Sequence, residues 1–163
     1  MSVRNSQEIG PILTKIAIQL ANDQELCRYL YYTDNEPLIK SETKPDLDGY
    51  NLLNKNILVV PQINAKDFNT ASKICLLIPQ ATVEENIDFK NLSLSILVYT
   101  PFKSWILNDT SLRPFKIIGC IERLLKDKRY ESLGQIKYDG FELHTIDDNL
   151  SSYRMDFRLD IFN

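Results

Sequence analysis

The side chains best suited to chemistry in this sequence are one histidine and two pairs of adjacent acids. His144 could act as a general base, and the pairs Glu84–Glu85 and Asp147–Asp148 could bind a divalent cation or share acid–base work. His144 has no second imidazole or cysteine close to it in sequence, which a metal site would need. Each acidic pair falls in a predicted turn, where carboxylates are usually solvated. A structural or surface role is the simpler interpretation of all five residues.

Motifs that mark a phosphate-binding loop, an activated nucleophile or a redox dithiol are absent from the sequence. It contains no G-x-S-x-G, Walker A, G-x-G-x-x-G or C-x-x-C pattern. The three cysteines, Cys27, Cys75 and Cys120, lie far apart in apolar stretches, which indicates buried reduced thiols rather than a disulfide or a metal site. We therefore expect no enzyme activity, no cofactor and no metal-binding residue.

Four charged residues alternate in sign along a predicted strand near the C-terminus. Apolar and polar side chains alternate over 150–161, which places Arg154, Asp156, Arg158 and Asp160 on one face. Such a row is either a solvated outer face or a polar seam between subunits, where alternating charges fix the register of the contact.

An apolar stretch at 102–107 contains the single tryptophan of the chain. Phe102, Trp105 and Leu107 either cover the core or anchor an interface, because tryptophan is enriched in interface hot spots. The sequence alone leaves both alternatives open.

Helical periodicity positions two main helices. The first covers residues 6–22, and Asp23 is placed to cap a short second helix. The other runs over 111–126, with Gly119 explained by a close approach of this helix to the sheet. Its outer side is predicted to carry three solvent-facing basic residues, Arg113, Lys116 and Arg123.

Short apolar runs and period-two patterns predict strands, and Asp139–Gly140 has the sequence of a hairpin turn. The predicted strands cover 57–60, 74–78, 87–99, 132–138, 141–146 and 150–161. The fold class is therefore α+β: a mainly antiparallel sheet packed against a long helix, with an N-terminal helix, in a single domain over 1–163. A long loop or extended arm interrupts this domain at about 33–56.

Composition agrees with one globular domain and argues against nucleic-acid binding by charge. The 163 residues are 44% hydrophobic, and the formal net charge is -3. No apolar run reaches the roughly 18–20 residues that span a bilayer, and the polar start lacks the apolar stretch of a signal peptide. We expect the chain to stay in the cytoplasm.

The layout resembles the tail-terminator and neck-completion proteins of tailed bacteriophages. The two-faced strand Asn91–Tyr99 resembles their central strand, and Ser111–Lys126, with Arg113–Pro114 at its start, resembles their second helix. The segment Tyr153–Phe162 resembles their last strand. The resemblance covers 74–163 and the first helix.

This resemblance implies a hexameric ring of the virion neck or tail, between the tail tube and the head-proximal connector and assembled in the host cytoplasm. The partners would be other copies of the chain and other phage structural proteins, such as tube, sheath or connector. DNA would pass without specific binding, and no membrane is involved. Interface contacts are expected from the charged row, Trp105, Leu38 and Ile39, with Glu84 and Glu85 at a hairpin tip or lumen. The alternative is a small non-viral cytoplasmic oligomeric binding or adaptor module.

The arm at 33–56 carries apolar side chains in a polar, proline-containing segment. Leu38, Ile39, Leu47, Leu52 and Leu53 cannot form a core of their own. We expect the arm to be mobile in the isolated chain and to dock on another subunit in the assembled ring.

Overall fold

The computed structural model describes residues 6–60, 71–82, 91–130, 134–146 and 149–160. In this part of the chain the helices are α1 (Ile9–Ala21), α2 (Gln24–Tyr31) and α3 (Arg113–Leu125), with single 3-10 turns at Ser6–Glu8, Gly49–Leu52 and Phe102–Ser104. The strands are β1 (Ile57–Leu58), β2 (Lys73–Thr82), β3 (Asn91–Pro101), β4 (Arg129–Tyr130), β5 (Gly134–Ile146) and β6 (Leu150–Asp160). The α+β class and the N-terminal helix are confirmed.

The strands form a curled sheet in the order β1-β2-β3-β6-β5-β4 within the described residues. The pair β1–β2 is parallel and the other four pairs are antiparallel, so the sheet is mixed. The alternation of β3 predicts its faces correctly: Leu92, Leu94 and Ile96 are fully buried beneath the helices. On β6, Met155 and Phe157 complete the same apolar layer.

No single long helix covers the sheet in the described residues. The helices α1 and α3 each have 13 residues and α2 has 8. All three bury apolar side chains in one core cluster with the sheet. Asp23 caps α2 as predicted, since its Oδ1 accepts a hydrogen bond from the Leu26 amide at 2.8 Å.

The predicted hairpin at Asp139–Gly140 is wrong. The strand β5 continues through these residues, and its register against β6 shifts between Tyr138 and Gly140. Gly140 has φ of 112°, a value that glycine adopts readily. The sequence signal of a turn therefore marks a β-bulge, which inserts a residue without reversing the chain.

The explanation of Gly119 by close packing is also wrong. A Cβ atom added there would meet no heavy atom within 4 Å, so this glycine faces open space. The close approach occurs instead at Gly49, where an added Cβ would lie 1.7 Å from the backbone oxygen of Ala21. The 3-10 turn of the arm is thus seated directly on the end of α1.

The three cysteines are free and buried, as predicted. Burial raises the pKa of Cys27 and Cys75 to about 11 and that of Cys120 to about 12. Because the thiolate is the reactive form, we expect no reaction with a thiol reagent at pH 8 in the native protein, and three equivalents after unfolding. Rapid modification of the folded chain would show that a core segment opens readily.

Candidate interaction surfaces

Two buried arginines fix the arm, residues 33–56, to the body of the protein. Arg28 on α2 is 2% exposed. Its Nε donates to the Pro37 carbonyl at 2.8 Å, and its Nη2 donates to the Ile39 carbonyl at 2.8 Å. Further hydrogen bonds join the guanidinium to the carbonyls of Lys44 and Pro45. One guanidinium thus binds the arm at four backbone carbonyls. Arginine can do this because its planar group presents several N–H donors in a fixed geometry.

Arg113, at the start of α3, is the second anchor, and its prediction as a solvent-facing residue is wrong. It is 1% exposed and donates from Nε to the Ser104 carbonyl at 2.6 Å. Its Nη1 donates to the carbonyls of Tyr29 and Tyr32, and its Nη2 donates to that of Asp34. The side chain links α2, the start of the arm and the 3-10 turn at 102–104. The sequence around Arg113, a basic residue next to Pro114 in the first turn of a helix, gave no indication that this side chain is buried.

The expectation that the apolar side chains of the arm depend on another subunit for burial is corrected by the packing of the arm. Leu52 is buried, while Leu47 and Leu53 pack against the core, so most apolar side chains of the arm are used within its own chain. Leu38 and Ile39 remain 43% and 54% exposed. Because Arg28 binds the carbonyls on both sides of Leu38, the arm presents these two side chains from a fixed backbone.

A cluster of aromatic rings spreads over the helix side of the sheet, and we name it the aromatic surface. Phe115 contacts Phe141 and Tyr153, with ring centroids 5.9 Å and 5.2 Å apart. Trp105 joins Phe102 to Tyr153, with ring centroids 5.5 Å and 6.5 Å away. Its members are Phe102, Trp105, Phe115, Phe141, Leu143, Ile146 and Tyr153. Trp105 is half-buried and contributes to this surface through its contacts with Phe102 and Tyr153.

A β-bulge extends the aromatic surface along β5. Phe141 pairs with Met155 and Leu143 pairs with Tyr153, which puts both on the helix side. The register shifts again between Leu143 and Thr145, so that Ile146 pairs with Ser151 and returns to the helix side. Without the bulge at His144, strict alternation would turn Ile146 to the opposite face. Phe141, Leu143 and Ile146 are 45%, 50% and 63% exposed. Sequence patterning missed this face because the bulge breaks its period.

The charged row of β6 lies on the opposite, concave face of the sheet. Its side chains are already paired within the chain: Arg154 Nη2 contacts Glu142 Oε1 at 2.6 Å, and Arg158 Nε contacts Asp139 Oδ2 at 2.8 Å. Arg154 Nε lies 3.1 Å from Asp156 Oδ2. Asp160 ends β6, and its side chain lies outside the described residues. The three described members of the row, Arg154, Asp156 and Arg158, are therefore ion-paired.

A groove of about 400 Å³ follows this concave face, lined by residues of four strands that include Leu77, Ser95, Arg154 and His144. The Ser95 hydroxyl donates to Asp156 Oδ1 at 2.8 Å. His144 lines the groove from the exposed bulge of β5. The groove therefore holds a polar network of Ser95, Asp156 and Arg154.

The predicted interface residues therefore occupy three separate places. Leu38 and Ile39 lie on the arm, Trp105 lies in the aromatic surface, and the charged row lies on the concave face. Glu84 and Glu85, as well as Asp147 and Asp148, fall outside the described residues. Among the residues that are described, no cluster of three or more potential ligands is placed to hold a metal ion. None of the described helices is both long and apolar enough to span a bilayer.

Comparison with protein families gives a match over residues 23–159, most of the chain. Comparison with curated proteins gives no match. The matched range includes both anchoring arginines, the arm, the aromatic surface and three of the four residues of the charged row. The chain belongs to the YomW family, which derives from the Bacillus phage SPBc2.

Proposed function

We propose that the chain is a structural subunit of a phage neck or tail: a tail terminator that forms a hexameric ring between the tail tube and the head-proximal connector. The observation that carries this proposal is the aromatic surface. Large apolar side chains exposed together on one face mark protein–protein contacts in soluble proteins. The phage origin of the family supplies the context in which such contacts build a particle.

The arm gives further support for assembly. A rigid apolar projection binds a neighbour with little loss of conformational entropy, because its backbone is already fixed. Leu38 and Ile39 meet this condition through the carbonyl contacts of Arg28. Two unlike contact regions on one chain favour head-to-tail association, which closes into a ring when the rotation between copies is suitable.

The concave face agrees with a channel that DNA crosses without being held. Arg154 and Arg158 each contact a carboxylate, so this face offers little net positive charge to phosphates. The formal net charge of -3 acts in the same direction. No specific observation favours the non-viral adaptor, and the phage origin of the family favours the virion.

The aromatic surface is tested by placing a charge in it. We expect Ile146→Glu to abolish association of the purified chain while leaving its thermal melt nearly unchanged, because Ile146 is 63% exposed in the monomer. Tyr50→Glu is the matched control, since Tyr50 is 60% exposed and lies outside the aromatic surface. Sedimentation velocity over a range of concentrations gives the readout. Equal association of both variants would remove the aromatic surface from the interface.

A further inference from the structure

A pocket of about 250 Å³ lies between the arm and the segment at 102–112, and we name it the arm pocket. Its lining combines apolar side chains with two carboxylates. Leu38, Ile39 and Leu107 provide apolar walls, and Glu36 and Asp109 contribute the acids. This combination suits a lysine or arginine side chain, whose aliphatic stem covers apolar surface while its charged head meets the carboxylates.

Neutral groups hold the two carboxylates in place. Asn108 Nδ2 donates to Glu36 Oε1 at 2.6 Å, and the Ser111 amide donates to Asp109 Oδ1 at 3.0 Å. The hydrogen bonds from Ser111 lower the pKa of Asp109, so that carboxyl stays ionised at neutral pH. Within the described residues neither acid forms an ion pair. The pocket therefore presents negative charge to a partner.

The complementary charge lies at the other end of α3, in what we name the basic turn. Lys126, Lys128 and Arg129 are exposed from the end of α3 to the start of β4, with one acid, Asp127, among them. Within the described part of the chain none of the three forms an ion pair. The 13-residue α3 separates the basic turn from Arg113 and the arm, by about 20 Å along the helix axis. Acidic and basic contact regions thus lie at opposite ends of one helix.

We propose that the basic turn of one copy docks in the arm pocket of the next copy. This inference rests on the proposed function, since it specifies how ring subunits join. Opposite charges at opposite ends make the contact head-to-tail, and each copy uses one pocket and one turn. Burying the stem of Lys128 or Arg129 would also cover Leu38 and Ile39, the two apolar side chains that the arm holds outward.

Charge reversal tests this pairing with the full-length chain. The turn variant carries Lys128→Glu and Arg129→Glu, and the pocket variant carries Glu36→Lys and Asp109→Lys. We expect each alone to need at least tenfold higher concentration than the unmodified chain for half-maximal assembly. Mixed in equal amounts, the two should assemble again, because every contact in an alternating ring then joins opposite charges. The double variant Lys15→Glu, Lys55→Glu changes the net charge as the turn variant does, at exposed sites elsewhere, and should assemble normally.

Sedimentation velocity and circular dichroism give the readouts, the second confirming that each variant is folded. A folded turn variant that assembles like the unmodified chain would overturn the docking of the basic turn and leave the ring proposal standing. Failure of the mixture to assemble would also overturn the pairing. An unmodified chain that stays monomeric at every concentration would overturn both the pairing and the ring.

Discussion

Replacing Arg113 with methionine is expected to lower the free energy of unfolding by about 3–5 kcal/mol. Methionine fills much of the same volume, yet it offers no donor to the carbonyls of Ser104, Tyr29 and Tyr32. Each carbonyl left without a partner in a buried site loses the hydrogen bonds it would have with water. Urea denaturation followed by circular dichroism measures the loss as a lower midpoint at an unchanged slope.

Arg123→Met on the same helix is the matched control. Arg123 is 51% exposed and pairs with Asp23 and Glu25 at the surface. Exposed ion pairs contribute about 0.2–1 kcal/mol, so this variant should unfold close to the unmodified chain. Similar losses in the two variants would show that Arg113 is not a buried anchor.

Gly49→Ala is the second change with a large expected effect. The added methyl group would overlap the Ala21 carbonyl, and backbone atoms at the end of α1 cannot move aside as a flexible side chain can. We expect a loss of about 1–3 kcal/mol, typical of overpacking in a rigid site. Because the clash falls between the arm and α1, trypsin should also cleave after Lys40 faster than in the unmodified chain.

Gly119→Ala provides the opposite result from the same substitution. An added Cβ there meets no atom within 4 Å, and alanine is favoured over glycine in a helix by about 0.5–1 kcal/mol. This variant should therefore melt at a higher temperature. If both glycine variants gained stability, the seating of the arm on α1 would be wrong.

Much of the fold follows from periodicity. The alternation in β3 and β6 identified the buried face, and the helical spacing before Asp23 identified α1. These elements were predictable because each has one apolar face whose period matches its backbone. Their neighbours in the sheet could not be deduced the same way, since strand order depends on contacts between distant segments.

The interaction surfaces were harder to predict because they depend on exceptions to periodicity. Arg28 and Arg113 are buried because they donate hydrogen bonds to backbone carbonyls. The positions of those carbonyls depend on the tertiary fold, so a pattern of side chains does not reveal them. The bulge at His144 places Ile146 on the helix side of the sheet, whereas strict alternation predicts the opposite face. Trp105, Leu38 and Ile39 were recognised as interface candidates from residue type alone, and the structure separates them onto different parts of the surface.

The proposed place of the chain at the head–tail junction is tested by locating it in phage particles. Particles would be purified from an induced host, their proteins quantified by mass spectrometry, and the chain labelled with gold-conjugated antibody for electron microscopy. We expect about six copies per particle, as a single closed hexameric ring requires, with label confined to the junction of head and tail. A chain abundant in the lysate and missing from purified particles would contradict it.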